Sequence, residues 1–138
     1  MWADRRVTGS DGALYRPQRK VVRTPDGDCV AAFCGCDAGC SRALAAVRGG
    51  ESDPAALALL SDGVVVTERG RFELTGGVAT RVPARVPVVV HGSGYAEAQA
   101  FLYGAGRFDG DTIRAALRYV SGVRYDCGDG VDALALRR

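Results

Sequence analysis

The feature that most constrains the fold is the order of its periodic segments: strands, two helices, strands, two helices and a last strand. "WADRRVT" and "RKVVRT" read as short strands split by the turn-rich "GSDGALYRPQ", and "DCVAAFCG" follows the turn "TPDGD". "AGCSRALAAVRGG" and "SDPAALALLSDG" read as helices, the second with Ser52 or Asp53 as N-cap, Pro54 at its first position and Gly63 closing it. "VVVTERG", "RFELTGG" and "PVVVHGSG" form a second strand group. "GYAEAQAFLYGAG" and "DGDTIRAALRYVSG" form a second helix pair, the latter capped by Asp111 or Thr112, and "VDALALRR" ends the chain as an alternating strand. Two strand groups and two helix pairs predict an α+β chain in four layers, an αββα sandwich with helices outside and two sheets packed inside. No repeat or linker interrupts residues 1–138, so a single domain is expected.

Charge and hydropathy exclude several function classes. Eighteen basic residues against 16 acidic ones leave a net charge of +2, which gives no electrostatic footprint for nucleic acid or an anionic membrane. No apolar run approaches the ~20 residues of a membrane span, and the start lacks the pattern of a secretion signal, so a cytoplasmic protein is expected. Five cysteines, three of them within "CGCDAGC", do not form a secreted disulfide framework, and reduced thiols are expected.

One bias singles out a residue. Of the 18 basic residues 17 are arginines, and the only lysine is Lys20. An amine can shift its pKa and exchange a proton where a guanidinium cannot, so Lys20 is a candidate for chemistry, set against the plainer reading of a solvated strand residue. The remaining local signals favour bland readings. Three thiols in "CGCDAGC" fall short of the four ligands of a structural zinc site, and the single histidine, His91, is distant in sequence, so no metal is expected. Cys34 and Cys36 are placed two apart on a strand and so on one face. "GSG" before a helix lacks the third glycine of a dinucleotide fingerprint, and "DCGDGVD" lacks the closing glutamate of a calcium loop, so no cofactor is expected.

The order and motifs together resemble the proteasome β-type N-terminal-nucleophile (Ntn) hydrolases, above all the bacterial and phage-encoded proteasome-like peptidase subunits. "ADRRVT" looks like the family's "AD-x-x-x-T" strand, "RKVVR" like its "RKV-x-R" strand, and "VAAFCGCDAGCSRAL" like its strand running into the first helix. "VHGSGYAEAQAFLYG" is similar to its "GSG" segment, and "AALRYVSGVRYDCGDGVDALAL" to its last helix, catalytic loop and final strand. The resemblance implies a threonine-type peptidase acting on amide bonds. Lys20 would be the catalytic lysine, Asp4 the aspartate of the second strand, Ser93 the serine that hydrogen-bonds the nucleophile's α-amine, and Cys127 the residue that assists it. It also implies that the strand carrying Ala32, Cys34 and Cys36 presents backbone groups to substrate and builds the oxyanion hole.

Two departures accompany the resemblance. The family's nucleophile, a threonine on a first strand about a dozen residues before Asp4, has no counterpart among Met1, Trp2 and Ala3, so a fold truncated at the N-terminus is expected. The family's catalytic aspartate aligns with Arg124, and Asp126 is the nearest acid that could replace it. Three functions therefore stand side by side: a peptidase-type subunit, a catalytically inactive relative acting as a structural or interaction subunit, and an unrelated small-molecule or metal-binding module. A homo-oligomer, with a peptide or protein as substrate or partner, is implied by the resemblance alone.

Overall fold

The structure, a computed structural model, describes residues 1–4, 18–124, 127–128 and 131–136. Its elements are β1 (Trp2–Asp4), β2 (Val21–Arg23), β3 (Cys29–Cys34), α1 (Asp37–Arg48), α2 (Pro54–Ala58), β4 (Asp62–Thr67), β5 (Gly70–Thr75), β6 (Val78–Val82), α3 (Tyr95–Ala105), α4 (Gly110–Val123) and β7 (Val131–Ala133). Five strands form an antiparallel meander in the order β2-β3-β4-β5-β6, and β1 pairs with β7 in a second, two-stranded sheet. The helices divide as the sequence pattern predicts. α1 and α2 pack on the meander, whereas α3 and α4 pack on each other, with α4 against β1. The chain is an α+β protein with an antiparallel sheet and helices on both sides.

Local chemistry accounts for the elements. β4 alternates strictly, so Gly63, Val65 and Thr67 are buried while Val64 and Val66 are half-buried on the opposite face. The β5–β6 hairpin turns on Gly76 and Gly77, both with positive φ (59° and 83°), which matches the handedness of a two-residue hairpin. Asp53 caps α2 through Ala55 N–H with Pro54 at the first helical position. The main core lies between the meander and α1/α2, where Phe33, Leu44, Val47, Leu57, Val65 and Leu74 are almost fully buried. Gly39 lets α1 lie against the end of α2, because a Cβ there would stand 2.7 Å from the Leu60 carbonyl.

The structure corrects four expectations. "PVVVHGSG" is not a strand: residues 86–91 have no ladder despite three consecutive valines, because no described strand lies beside them. "VATRV" was given no role by its pattern and is the edge strand β6, paired along its length to β5. α4 is capped by Asp109, whose carboxylate accepts from Thr112 N–H and Oγ1 and from Arg107, in place of Asp111 or Thr112. Gly63 does not close α2 but lies inside β4. Of "WADRRVT", residues 5–8 lie outside the described residues.

Candidate functional site

A cleft of about 700 Å³ separates the meander from α3 and α4. Its floor is the second face of β3 and β4, with Ala32, Cys34, Val64 and Val66, and its roof is the inner face of the helix pair, with Leu102, Ile113 and Leu117. β1 and the irregular segment 87–94 form its sides. The cleft exists because the alternation of β4 gives it two apolar faces while α1 and α2 cover only one.

Most of the residues singled out in the sequence meet at this cleft. Lys20 precedes β2 directly and lines it, and its positive charge acts on the thiols of Cys34 and Cys40. Cys34 ends β3. Burial first, then the neighbouring Cys40 and Asp62, push its thiol up to about 11 against the opposing pull of Lys20, so it stays neutral near pH 7 and is a wall rather than a nucleophile. Cys40 on α1 is also raised by burial, and Ser61 Oγ joins the pair, 3.5 Å from Cys40 Sγ and donating to the Cys34 carbonyl at 3.0 Å.

The "GSG" turn brings the other side into place. Gly92 adopts φ 107°, and a Cβ there would touch Cys34 Cβ at 3.9 Å, so the turn abuts the end of β3. Gly94, the N-cap of α3, is closer still, since a Cβ would lie 2.5 Å from Val120 Cγ1 and 3.1 Å from Cys127 Sγ. This absence of a side chain lets Ser93 Oγ stand 3.6 Å from Cys127 Sγ. Lys20, Cys34, Gly92, Ser93 and Cys127 thus form one continuous neighbourhood. A cation, a hydroxyl, a thiol and the end of a strand together can orient an amine or hydroxyl and stabilise developing negative charge.

Other residues are placed differently. Cys36 does not share a strand face with Cys34: β3 ends at Cys34, and Cys36 is the exposed N-cap of α1, its sulfur accepting from Gly39 N–H at 3.4 Å. Asp4 occupies β1 opposite Val131. Asp126 lies outside the described residues. Arg124 caps the C-terminal end of α4, and its guanidinium donates to Glu97 Oε1 at 3.1 Å. His91 Nδ1 sits 3.2 Å from Glu73 Oε1 and links the segment 87–94 to β5. Among the described residues no group of three or more histidine, cysteine, aspartate or glutamate side chains could hold a metal ion, and no helix is long and apolar enough to cross a membrane.

Sequence reasoning missed Ser61, Glu97 and Arg71. Arg71 donates to the carbonyls of Pro83, Val86 and Pro87, holding the start of the cleft's side wall by a side chain instead of a ladder. Within "RFELT" it reads as an ordinary outward strand position, and no local signal marks it.

The whole arrangement matches two solved structures. It superposes on eukaryotic HslV from Trypanosoma brucei with a TM-score of 0.69 at 20% identity, covering 95% of this chain and 88% of that one. It superposes on Thiobacillus denitrificans BPH, solved in complex with epoxomicin, with a TM-score of 0.68 at 15% identity and the same coverage. No protein-family model and no curated protein matches the chain. The fold is that of the proteasome-type Ntn hydrolases.

Proposed function

We propose that the chain is a proteasome-like subunit of the threonine-peptidase type, cleaving amide bonds within an oligomeric assembly. The observation that carries this reading is the meeting of Lys20, the end of β3, Ser93 and Cys127 at one cleft. In it the Lys20 ammonium lowers the pKa of an N-terminal nucleophile and of its own α-amine, which acts as base. Ser93 hydrogen-bonds that amine, Cys127 assists, and Asp4 and Asp126 are the acids this reading assigns to the mechanism. The nucleophile, a threonine, serine or cysteine at the head of a strand, lies beside β1. Backbone groups at the Cys34 end of β3, past its pairing with β2, hold the substrate peptide and its developing oxyanion, whereas Ala32 lies between β2 and β4 and Cys36 caps α1.

The test is made on protein isolated from its native source. Its mature N-terminus is sequenced, its cleavage of fluorogenic peptides is measured, and its intact mass is recorded after exposure to epoxomicin, the ligand carried by the BPH structure. An N-terminal threonine, serine or cysteine, peptide cleavage abolished by Lys20→Ala in a folded variant, and an epoxomicin adduct are the expected results.

A second reading has an observation of its own. Arg124 stands where the resemblance expects an aspartate and is held by Glu97, so the position presents a cation engaged with an acid on α3. This favours a non-catalytic structural or interaction subunit. Native protein that assembles but neither cleaves peptides nor takes up epoxomicin would decide for it.

A further inference from the structure

Three thiols fall within the seven residues of "CGCDAGC", where β3 hands the chain to α1. Cys34 serves as a wall of the cleft, and the other two have no task in it. Cys36 is exposed, whereas Cys40 is half-buried and lines the cleft from α1.

The backbone fixes the spacing of these two. Cys40 N–H donates to the Cys36 carbonyl at 3.0 Å, which closes the first turn of α1 with Cys36 as its N-cap. One such turn sets their Cα atoms about 6 Å apart, inside the roughly 4.4–6.8 Å that disulfides span. Helical side chains lean toward the N-terminus, so Cys40 projects over the turn that Cys36 begins. Cys36 Sγ already lies over that turn, accepting from Gly39 N–H at 3.4 Å, and Gly39 leaves it room, since a Cβ there would stand 3.1 Å from the sulfur. The remaining approach is made from the Cys36 side. Gly35 precedes it with φ 112° and open space around its Cα, whereas Cys40 is held by the helix.

The two thiols differ in a way that divides the labour. Cys36 meets solvent at the amide end of a twelve-residue helix, where negative charge is favoured. Burial first, then ionised Cys36, hold the Cys40 thiol above its ordinary value, with Ser61 pulling the other way, so Cys40 reacts second. Cys34 is the poorer partner: its thiol is raised to about 11, and its strand is locked to β4 opposite Asp62. Capping alone does not call for sulfur, because α2 and α4 are capped by the carboxylates of Asp53 and Asp109.

We infer that Cys36 and Cys40 form a reversible dithiol/disulfide site, oxidised by low-molecular-weight disulfides of the glutathione type and reduced by the matching thiols. The Cys36 thiolate attacks one sulfur of the small disulfide. A bond to Cys36 Sγ forms, the small S–S bond breaks, and the departing thiolate takes up the proton that Cys36 released. Cys40, deprotonated in its turn, attacks Cys36 Sγ and expels the second small thiolate, which takes up the Cys40 proton. Two protein thiols are oxidised and one small disulfide is reduced to two thiols. Closing the bond draws Cys40 Sγ from Ser61 Oγ, now 3.5 Å away, and Ser61 is the group that donates to the Cys34 carbonyl on the cleft floor. The site thus ties the cleft wall to the redox state of its surroundings, whether or not the cleft holds a nucleophile.

The experiment incubates the folded, reduced 138-residue protein with glutathione disulfide, alkylates the remaining thiols, and records intact mass and an unreduced Asp-N digest. Cleavage before Asp37 separates residues 28–36, with Cys29, Cys34 and Cys36, from residues 37–52, with Cys40. The expected product has lost two hydrogens, carries no glutathione, and yields these two fragments joined until dithiothreitol parts them. Cys36→Ser keeps a good cap and should abolish the linkage. Cys34→Ala should keep it, and Cys40→Ala should stop with one glutathione held on Cys36, each variant being checked for its fold by circular dichroism. Folded protein that keeps all five thiols free overturns the inference. So does a linkage that survives Cys36→Ser, is lost in Cys34→Ala, or forms only in urea.

Discussion

Three consecutive valines in β4 show how differently the two halves of the molecule are built. Val65 faces α1 and α2 and is fully buried, whereas Val64 and Val66, on the same strand, open onto the cleft under α3 and α4. On the α1/α2 side, eleven buried residues make a continuous core. On the α3/α4 side the buried cluster among the described residues is Ala98, Val120 and Cys127, with Val90 against it. Alternation thus decides which residues turn inward, but whether the interior they face is filled depends on what else the chain brings to that layer.

The sharpest way to break this comparison is truncation of matched leucines. Leu57→Ala on the closed side should cost about 2–5 kcal/mol, because a fully buried side chain leaves a cavity that rigid neighbours cannot close. Leu117→Ala, at the roof of a space already open, should cost less than about 1 kcal/mol. Urea unfolding of both variants reads the difference directly, and equal losses would mean that the cleft is as tightly packed as the core.

A smaller contrast comes from glycines. Gly63→Ala would push a Cβ to 2.2 Å from the Ala32 carbonyl oxygen and 3.0 Å from Phe33 Cα, so overpacking of the β3–β4 pair should cost about 1–3 kcal/mol. Gly122→Ala on α4 meets nothing within 4 Å and should gain up to about 1 kcal/mol from helix propensity. The melting temperatures should move in opposite directions.

The mildest effect concerns alkaline pH. Cys29, in the core, and Cys34, at the cleft, both have thiols raised to about 11, chiefly by burial, above an ordinary value of 9.0. The folded state therefore holds its protons longer than the unfolded state. The stability from these neutral thiols is fully present below about pH 9 and lost as pH rises through about 11. Urea midpoints in reductant across that window should fall, and Cys34→Ala should flatten the fall without removing it.

The sequence made most of the closed side legible. The Asp53-Pro54 start of α2 and the alternation of β4 each follow from one local rule, and the helix and strand order sufficed for the layers. It was least informative where two local signals compete or a partner decides. Asp109 and Asp111 are equivalent caps on paper, and Arg107 and Thr112 converging on one carboxylate settle the choice. "PVVVH" has every propensity of a strand and no ladder, while "VATRV" has a weak pattern and becomes one because Gly76 and Gly77 fold it back on β5. At the site, the convergence of Lys20, Ser93 and Cys127 follows from the order of motifs. The tie between Arg124 and Glu97 joins residues on different helices and could not be read from either segment.

Trp2 is the only tryptophan in the chain, and it sits at the side of the cleft with the Arg114 guanidinium 5.1 Å from its ring centre and Gly110 beneath it. The intrinsic emission of the protein is therefore a signal from a single address. A cation over an indole, and the wetting or drying of its surroundings, both alter the colour and intensity of its light. Whatever enters or leaves the space beside β1 can be followed without a label, in real time, by exciting the protein at the red edge of its absorption.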